Sequence, residues 1–173
     1  MATLRRKLIY AALALLERDG LERLSLRGVA RAAGVSAMAP YHHFADRRAM
    51  LAAVAARGLE RLYAAQMIAV RQTPDPRARA AAAAEALVRY AALFPELFRL
   101  IGSAELARPG VEERLDAAHA RIAAHFAALL GPRGPLLHAL AQGLAAQAIA
   151  GALPIERARA LAREGAALLA PSA

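Results

Sequence analysis

Apolar residues recur along this chain at helical spacing. Ile9, Ala12, Leu13 and Leu16 share one face of a helix predicted over residues 4–19, and Gly20 stops it. Leu21, Leu24 and Leu26 carry the apolar line onward. Leu26, Val29, Ala30 and Ala33 then stand at i, i+3, i+4 and i+7, again one face. Ser25 is placed to cap that short helix, because its hydroxyl can accept an orphaned backbone N–H. Gly34 follows the last periodic residue, where the left-handed conformation costs Gly nothing. Val35 plugs the turn, Ser36 caps again, and a second helix is predicted to about Phe44. Two short helices crossing over a tight turn make a helix-turn-helix, whose second helix enters the DNA major groove.

The pattern continues beyond this motif. Asp46 caps a helix predicted to run to about Gln72. Met50, Leu51 and Val54 face the reading head; Leu59, Leu62, Tyr63, Gln66 and Met67 face the rest of the chain. Thr73-Pro74-Asp75-Pro76 breaks it, with Asp75 as N-cap and Pro76 at the first helical position. A helix follows to Leu93, with Leu87, Tyr90, Ala91 and Phe94 on its inner side. Pro95 opens a short helix through Leu97, Phe98 and Ile101. Pro109 opens one predicted over 109–130, with Leu115, His119, Ile122, Phe126 and Leu129 spaced for burial. Gly131-Pro132 and Gly134-Pro135 mark a loop.

Residues 134–155 hold no charge and read as a helix buried on most sides. Their length would suit a membrane span. His138, Gln142, Gln147, the many Ala and Gly, and Pro at each end speak against that. A last helix, 155–169, lines up Ile155, Ala158, Leu161, Ala162, Gly165, Leu168 and Leu169. Two neighbouring helices with so much apolar surface suggest a two-fold contact with a second copy. The expected interface is Leu136, Ala139, Leu140, Gly143, Leu144, Ala146, Ala150, Leu161, Gly165 and Leu168. The expected fold is all-α, a three-helix reading domain over residues 1–48 and a helical bundle over 49–173, joined by one shared helix.

With Val35, Pro40, His43 and Phe44 turned inward, the second reading helix presents Ser36, Ala37, Met38, Ala39, Tyr41 and His42 to solvent. Tyr41 and His42 can donate to phosphate oxygens, and Arg27 and Arg47 flank them with positive charge. Such contacts set register on a duplex without reading its sequence. Gly34-Val35-Ser36, then Tyr41-His42-His43-Phe44, then Arg47, Met50 and Leu51 resemble the DNA-binding domain of the tetracycline-repressor (TetR) family. The resemblance spans about residues 5–60, and the spacing GVS-x4-Y-x-HF is specific. It implies that Arg27, Ser36, Ala37, Met38, Ala39, Tyr41, His42 or His43, and Arg47 lie at DNA, and Ser25 is expected there as well. It also implies that the last two helices of each subunit build a four-helix dimer interface. Pro40 replaces the family's usual Leu, and Arg47 its usual Lys. Pro40 is expected to remove one hydrogen bond and tilt the helix start.

Charge sharpens this picture only in part. The 173 residues carry a net +9, and residues 1–60 hold ten basic against five acidic side chains. A basic end favours a polyanion through counterion release. Yet Lys occurs once, so an Arg and Ala bias accounts for some of the excess. Arg5, Arg6 and Lys7 read either as an arm near the phosphate backbone or as a solvated terminus. They lead into an amphipathic helix, not a secretory leader. The absence of Cys excludes disulfides and thiolate metal sites and fits a cytoplasmic location.

No nucleophile triad, carboxylate pair or phosphate-binding Gly loop is visible, so an enzyme is not expected. His119 and His125 stand six apart on different helix faces and cannot chelate one metal; His138 is alone. No cofactor is expected. An effector cavity between helices is expected at Tyr63, Met67, Tyr90, Phe94, Phe98, His119, Ile122 and Phe126, with Gln142 and Gln147 as polar contacts. The same residues would equally fill a plain core. The sum is a homodimeric DNA-binding regulator, a repressor released from a near-palindromic operator by an apolar or weakly polar small molecule. The alternatives are a helical interaction module whose reading head no longer meets DNA, and a small helical enzyme with a hydrophobic substrate.

Overall fold

The computed structural model describes residues 3–106 and 113–170. All regular elements among them are helical: α1 (Leu4–Asp19), α2 (Leu26–Ala32), α3 (Arg47–Arg71), α4 (Arg79–Leu93), α5 (Pro95–Ile101), α6 (Glu113–Leu130), α7 (Gly134–Ile149) and α8 (Ile155–Leu169). The chain divides into two compact units. The first is Met1–Gly58 with Pro95–Ala117, and the second is Leu59–Phe94 with Ala118–Ala173. The start predicted for α6 at Pro109 lies outside the described residues.

In the first unit, α1 packs on α2 and α5. Leu8, Leu16, Leu24, Val29, Met50 and Leu51 are fully buried, so the stripes predicted on three helices converge on one core. Local chemistry sets the ends. Ser25 Oγ accepts the Gly28 N–H at 3.1 Å, and Asp46 Oδ1 accepts the Ala49 N–H at 2.7 Å. Gly34 takes φ +63°, so the chain reverses without a Cβ clash, and the Val35 N–H returns to Ala30 O at 3.1 Å. Glu17 reaches across to α5 and accepts the Leu97 N–H at 2.7 Å. Burial raises the pKa of this carboxyl above its ordinary value, opposed by its backbone donors.

The recognition segment departs from expectation. No α-helix runs from Ser36 to Phe44. A turn at residues 37–38 leads into a 3₁₀ turn over Ala39–His42. Three of its bonds are i to i+3: Ala39 N–H to Ser36 O, Tyr41 N–H to Met38 O, His43 N–H to Pro40 O; Phe44 N–H adds one i to i+4 bond to Pro40 O. Pro40 is the physical reason. It has no N–H to give to Ser36 O, and the tighter turn serves the neighbouring groups instead.

In the second unit, α4 packs on both α7 and α8, which also pack on each other. The contacts are alanine-smooth: Ala83, Ala84, Ala91, Ala141, Ala145, Ala158 and Ala162 are buried, with Leu87, Val88 and Leu137 between them. Small side chains let the helices approach closely. Outside this seam Glu85 of α4 pairs with Arg163 at 2.7 Å and Arg159 at 3.3 Å of α8. The break before α4 forms as predicted, with Asp75 Oδ1 accepting the Arg77 N–H at 2.9 Å.

The uncharged helix α7 is buried on one side rather than on most. Leu137, Ala141, Leu144 and Ala145 face the unit's core; Leu136, Ala139, Leu140, Gly143, Ala146 and Ala150 face out. Two expected interface residues therefore belong to the interior of a single chain. Leu144 is buried, and so is Gly165, where a Cβ would collide with the Leu140 side chain. The periodicity of α7 is weak because its outward face is also apolar. No helix among the described residues is long and apolar enough to cross a membrane.

Candidate nucleic-acid interface

The outward face of the first unit carries the expected docking groups, with exceptions. Arg27, Ser36, Ala37, Met38, Tyr41 and His42 are exposed, Met38 at 62% and Tyr41 at 44%. Ser25 is exposed too, but its hydroxyl is engaged in capping α2. His43 is half-buried. Ala39 is buried, against expectation, because the 3₁₀ turn rotates it inward together with Pro40. Arg31, not among the expected residues, is exposed one helical turn after Arg27 on α2, at i, i+4 spacing.

Arg47 departs most from expectation. Its Nε donates to Leu24 O at 2.9 Å, its Nη2 to Leu21 O at 2.8 Å, and its Nη1 to Glu105 at 2.7 Å. The guanidinium fork closes the turn after α1, and its side chain keeps 38% exposure. Three acceptors inside the fold hold the fork in place. Arg5 is likewise drawn back, with its guanidinium 5.4 Å over the Phe44 ring. Arg6 and Lys7 are exposed. The head thus exposes the basic residues Arg6, Lys7, Arg27 and Arg31 and the hydrogen-bonding residues Tyr41 and His42.

The residues expected around an effector are brought together only in part. Within the second unit, Tyr63 meets His125 edge-on at 5.4 Å, and Phe126 stacks on His138 at 5.0 Å. Tyr90 lies 4.9 Å from Phe94, whose ring sits under Arg61 at 4.8 Å. Ile122 and Phe126 are buried; Met67 and His119 are half-buried. Gln142 and Gln147 are exposed on α7 and do not serve as enclosed polar contacts, since that helix turns only its 137–141–144 side inward. Phe98 belongs to the first unit. The enclosed glutamine is Gln66, fully buried on α3 with its Nε2 donating to Ala83 O at 3.2 Å. Its place in the apolar stripe marked it as inward in the sequence; nothing marked it as a contact. A surface groove with about 430 Å³ of empty space is lined by Ile68, Gln72, Arg89, Tyr90 and Leu93 among others, and Tyr90 alone of the expected cavity residues lines it. Burial pushes the pKa of His125 below its ordinary value, and that of His138 too, with His119 adding to the effect. Among the described residues no cluster of three metal-ligating side chains occurs.

A capped helix, a Gly turn and an exposed polar segment, carried on an all-helical body, define the class of helix-turn-helix DNA-binding regulators. The family profile of bacterial regulatory proteins of the tetR family matches residues 8–54. A protein of unknown function from Rhodococcus sp. RHA1 is 30% identical over 99% of this chain and 97% of its own, with a TM-score of 0.82. A transcriptional regulator from the same organism is 26% identical, covering 96% of each chain, with a TM-score of 0.76. The multidrug binding protein EbrR, solved with imidazole, is 24% identical over 100% of this chain and 98% of its own, at a TM-score of 0.72. Among curated proteins, none matches this sequence. The chain belongs to the TetR family of transcriptional regulators.

Proposed function

We propose that this regulator is a homodimeric, cytoplasmic repressor that leaves a near-palindromic operator when a small molecule binds its second unit. The observation that carries the DNA half is the exposed set Arg27, Met38, Tyr41 and His42 around the Gly34 turn. Ser25, Ser36, Ala37 and His43 complete the proposed contact surface, while Ala39 and Arg47 hold it from within. Ala37 and Met38 have no polar side-chain atoms to pair with base edges. Direct readout there is limited to apolar contact with thymine methyls, and DNA shape supplies the remaining discrimination. The dimer half is supported by the outward apolar side chains Leu136, Leu140 and Leu168, with Ala139, Gly143, Ala146, Ala150 and half-buried Leu161 beside them. Two reading heads spaced about one duplex turn, ~34 Å, then meet successive major grooves. The effector favours a different spacing and so shifts the population away from the DNA-competent form.

A second reading is favoured by one observation. Pro40 prevents a regular recognition helix, which suits a head that binds another protein rather than a groove. Fluorescence anisotropy with duplex DNA from upstream of its own gene separates the two. Saturable binding with a steep salt dependence is expected for the regulator. Absence of binding at low salt would leave the interaction module.

A further inference from the structure

Gln66 has one buried atom with no hydrogen-bond partner among the described residues. The residue is fully enclosed, and its Nε2 is used by Ala83 O at 3.2 Å. Its Oε1 is equally enclosed and meets no donor among the described residues. Roughly nine in ten buried polar groups find a partner. An unpaired one keeps its desolvation cost uncompensated, which a Leu or Met in the same stripe would avoid. One turn earlier on α3, Tyr63 meets His125 edge-on, and His125 Nε2 is also buried with no partner among the described residues. Phe126 stands 6.1 Å from His125 and stacks on His138 with 14° between the rings. Two unmatched polar atoms thus lie on α3 and α6, with Tyr63 one helical turn before Gln66 and in ring contact with His125.

We propose that Gln66 Oε1 and His125 Nε2 are the polar contacts for a small uncharged aromatic molecule bearing an N–H or O–H donor, of the phenol or primary-amide class. The inference rests on the effector reading above and specifies its chemistry. A carboxylate would set acceptor against acceptor at Oε1. A cation would approach Arg121, whose guanidinium lies 5.7 Å over the Tyr63 ring. Burial lowers the pKa of His125 and so favours its neutral form, in which Nε2 accepts or donates according to tautomer. It can therefore match the carbonyl or the hydroxyl of the same ligand. The rings of Tyr63 and Phe126 supply edges and faces for its apolar body.

Saturation-transfer NMR titrations on the full chain test this, with benzamide, its N,N-dimethyl derivative and benzoate as probes. Benzamide is expected to bind. The dimethylated amide is expected to bind at least about tenfold more weakly, the loss that corresponds to about 1.4 kcal/mol. Gln66→Met, close to Gln in size, and His125→Phe are each expected to weaken benzamide about tenfold while thermal unfolding stays cooperative. Equal binding of both amides, unchanged benzamide binding in Gln66→Met, or no transfer to the wild-type chain from either amide overturns the inference and makes Gln66 a water-satisfied core residue. Benzoate binding without benzamide binding overturns it while sparing the effector reading. Benzamide binding through Gln66 that fails to loosen operator DNA supports the site and removes the effector reading.

Discussion

Arg47 Nη1 donates to Glu105 Oε1 at 2.7 Å across 58 positions of sequence, while the same guanidinium holds the carbonyls of Leu21 and Leu24. Arg48 Nε adds a bond to the Glu105 carbonyl at 2.9 Å. The segment after α5 is therefore stitched to the start of α3 and to the turn after α1.

Arg47→Ala is expected to destabilise the first unit by about 1–2 kcal/mol, less than a buried network because both side chains are about one-third exposed. Arg47→Lys restores little, since one ammonium cannot span three acceptors. Urea unfolding measures both. The salt slope of DNA binding is expected to stay unchanged in Arg47→Ala. A slope lower by about one would mean that the guanidinium meets a phosphate after all.

Arg27 and Tyr41 are the groups whose loss shows in DNA affinity. Arg27→Ala is expected to reduce the salt slope by about one and to weaken operator and random duplex alike. Tyr41→Phe, which removes only the hydroxyl, is expected to cost about 1 kcal/mol, or five- to tenfold in Kd. Anisotropy titrations at three salt concentrations read both effects.

The outward side of α7 and α8 separates association from folding. Leu168 is 84% exposed in one chain, and Leu168→Glu is expected to yield a folded monomer by light scattering. Leu144→Ala has the opposite signature, because Leu144 is buried within the chain. It is expected to cost about 2–3 kcal/mol of stability with the oligomeric state preserved. Gly165→Ala displaces the half-exposed Leu140, so it is expected to disturb association more than folding.

Acid is expected to weaken the second unit. His125 and His138 have folded pKa values below the ordinary 6.5, chiefly through burial. The unfolded chain then binds more protons than the folded one in the window below 6.5. Stability from these groups is complete above 6.5 and is lost as pH falls through their folded values. Melting temperatures from pH 7.5 to 5 are expected to drop for the wild type and to drop less for His138→Phe, whose ring keeps the stack on Phe126.

Helix positions were legible wherever one apolar stripe met polar neighbours, as on α1, α2 and α3. Caps were legible because Ser25, Asp46 and Asp75 act on N–H groups two or three residues away. The resemblance at residues 34–51 located the reading head. Less was legible at Pro40, where local sequence signalled a tilt and the structure has a 3₁₀ turn. On α7 both faces are apolar, so periodicity could not say which side the chain itself would cover.

By itself the sequence determined most of the helices, the caps at Ser25, Asp46 and Asp75, the Gly34 turn and the family, because each depends on contacts within a few residues or on a local spacing. Tertiary structure alone decided that Arg47 is spent on Glu105 and two carbonyls, that Ala39 turns inward, that Leu144 serves its own chain, and that Gln66 is sealed with an unanswered oxygen. Those outcomes depend on partners up to 58 residues away, and no local pattern encodes which distant group arrives.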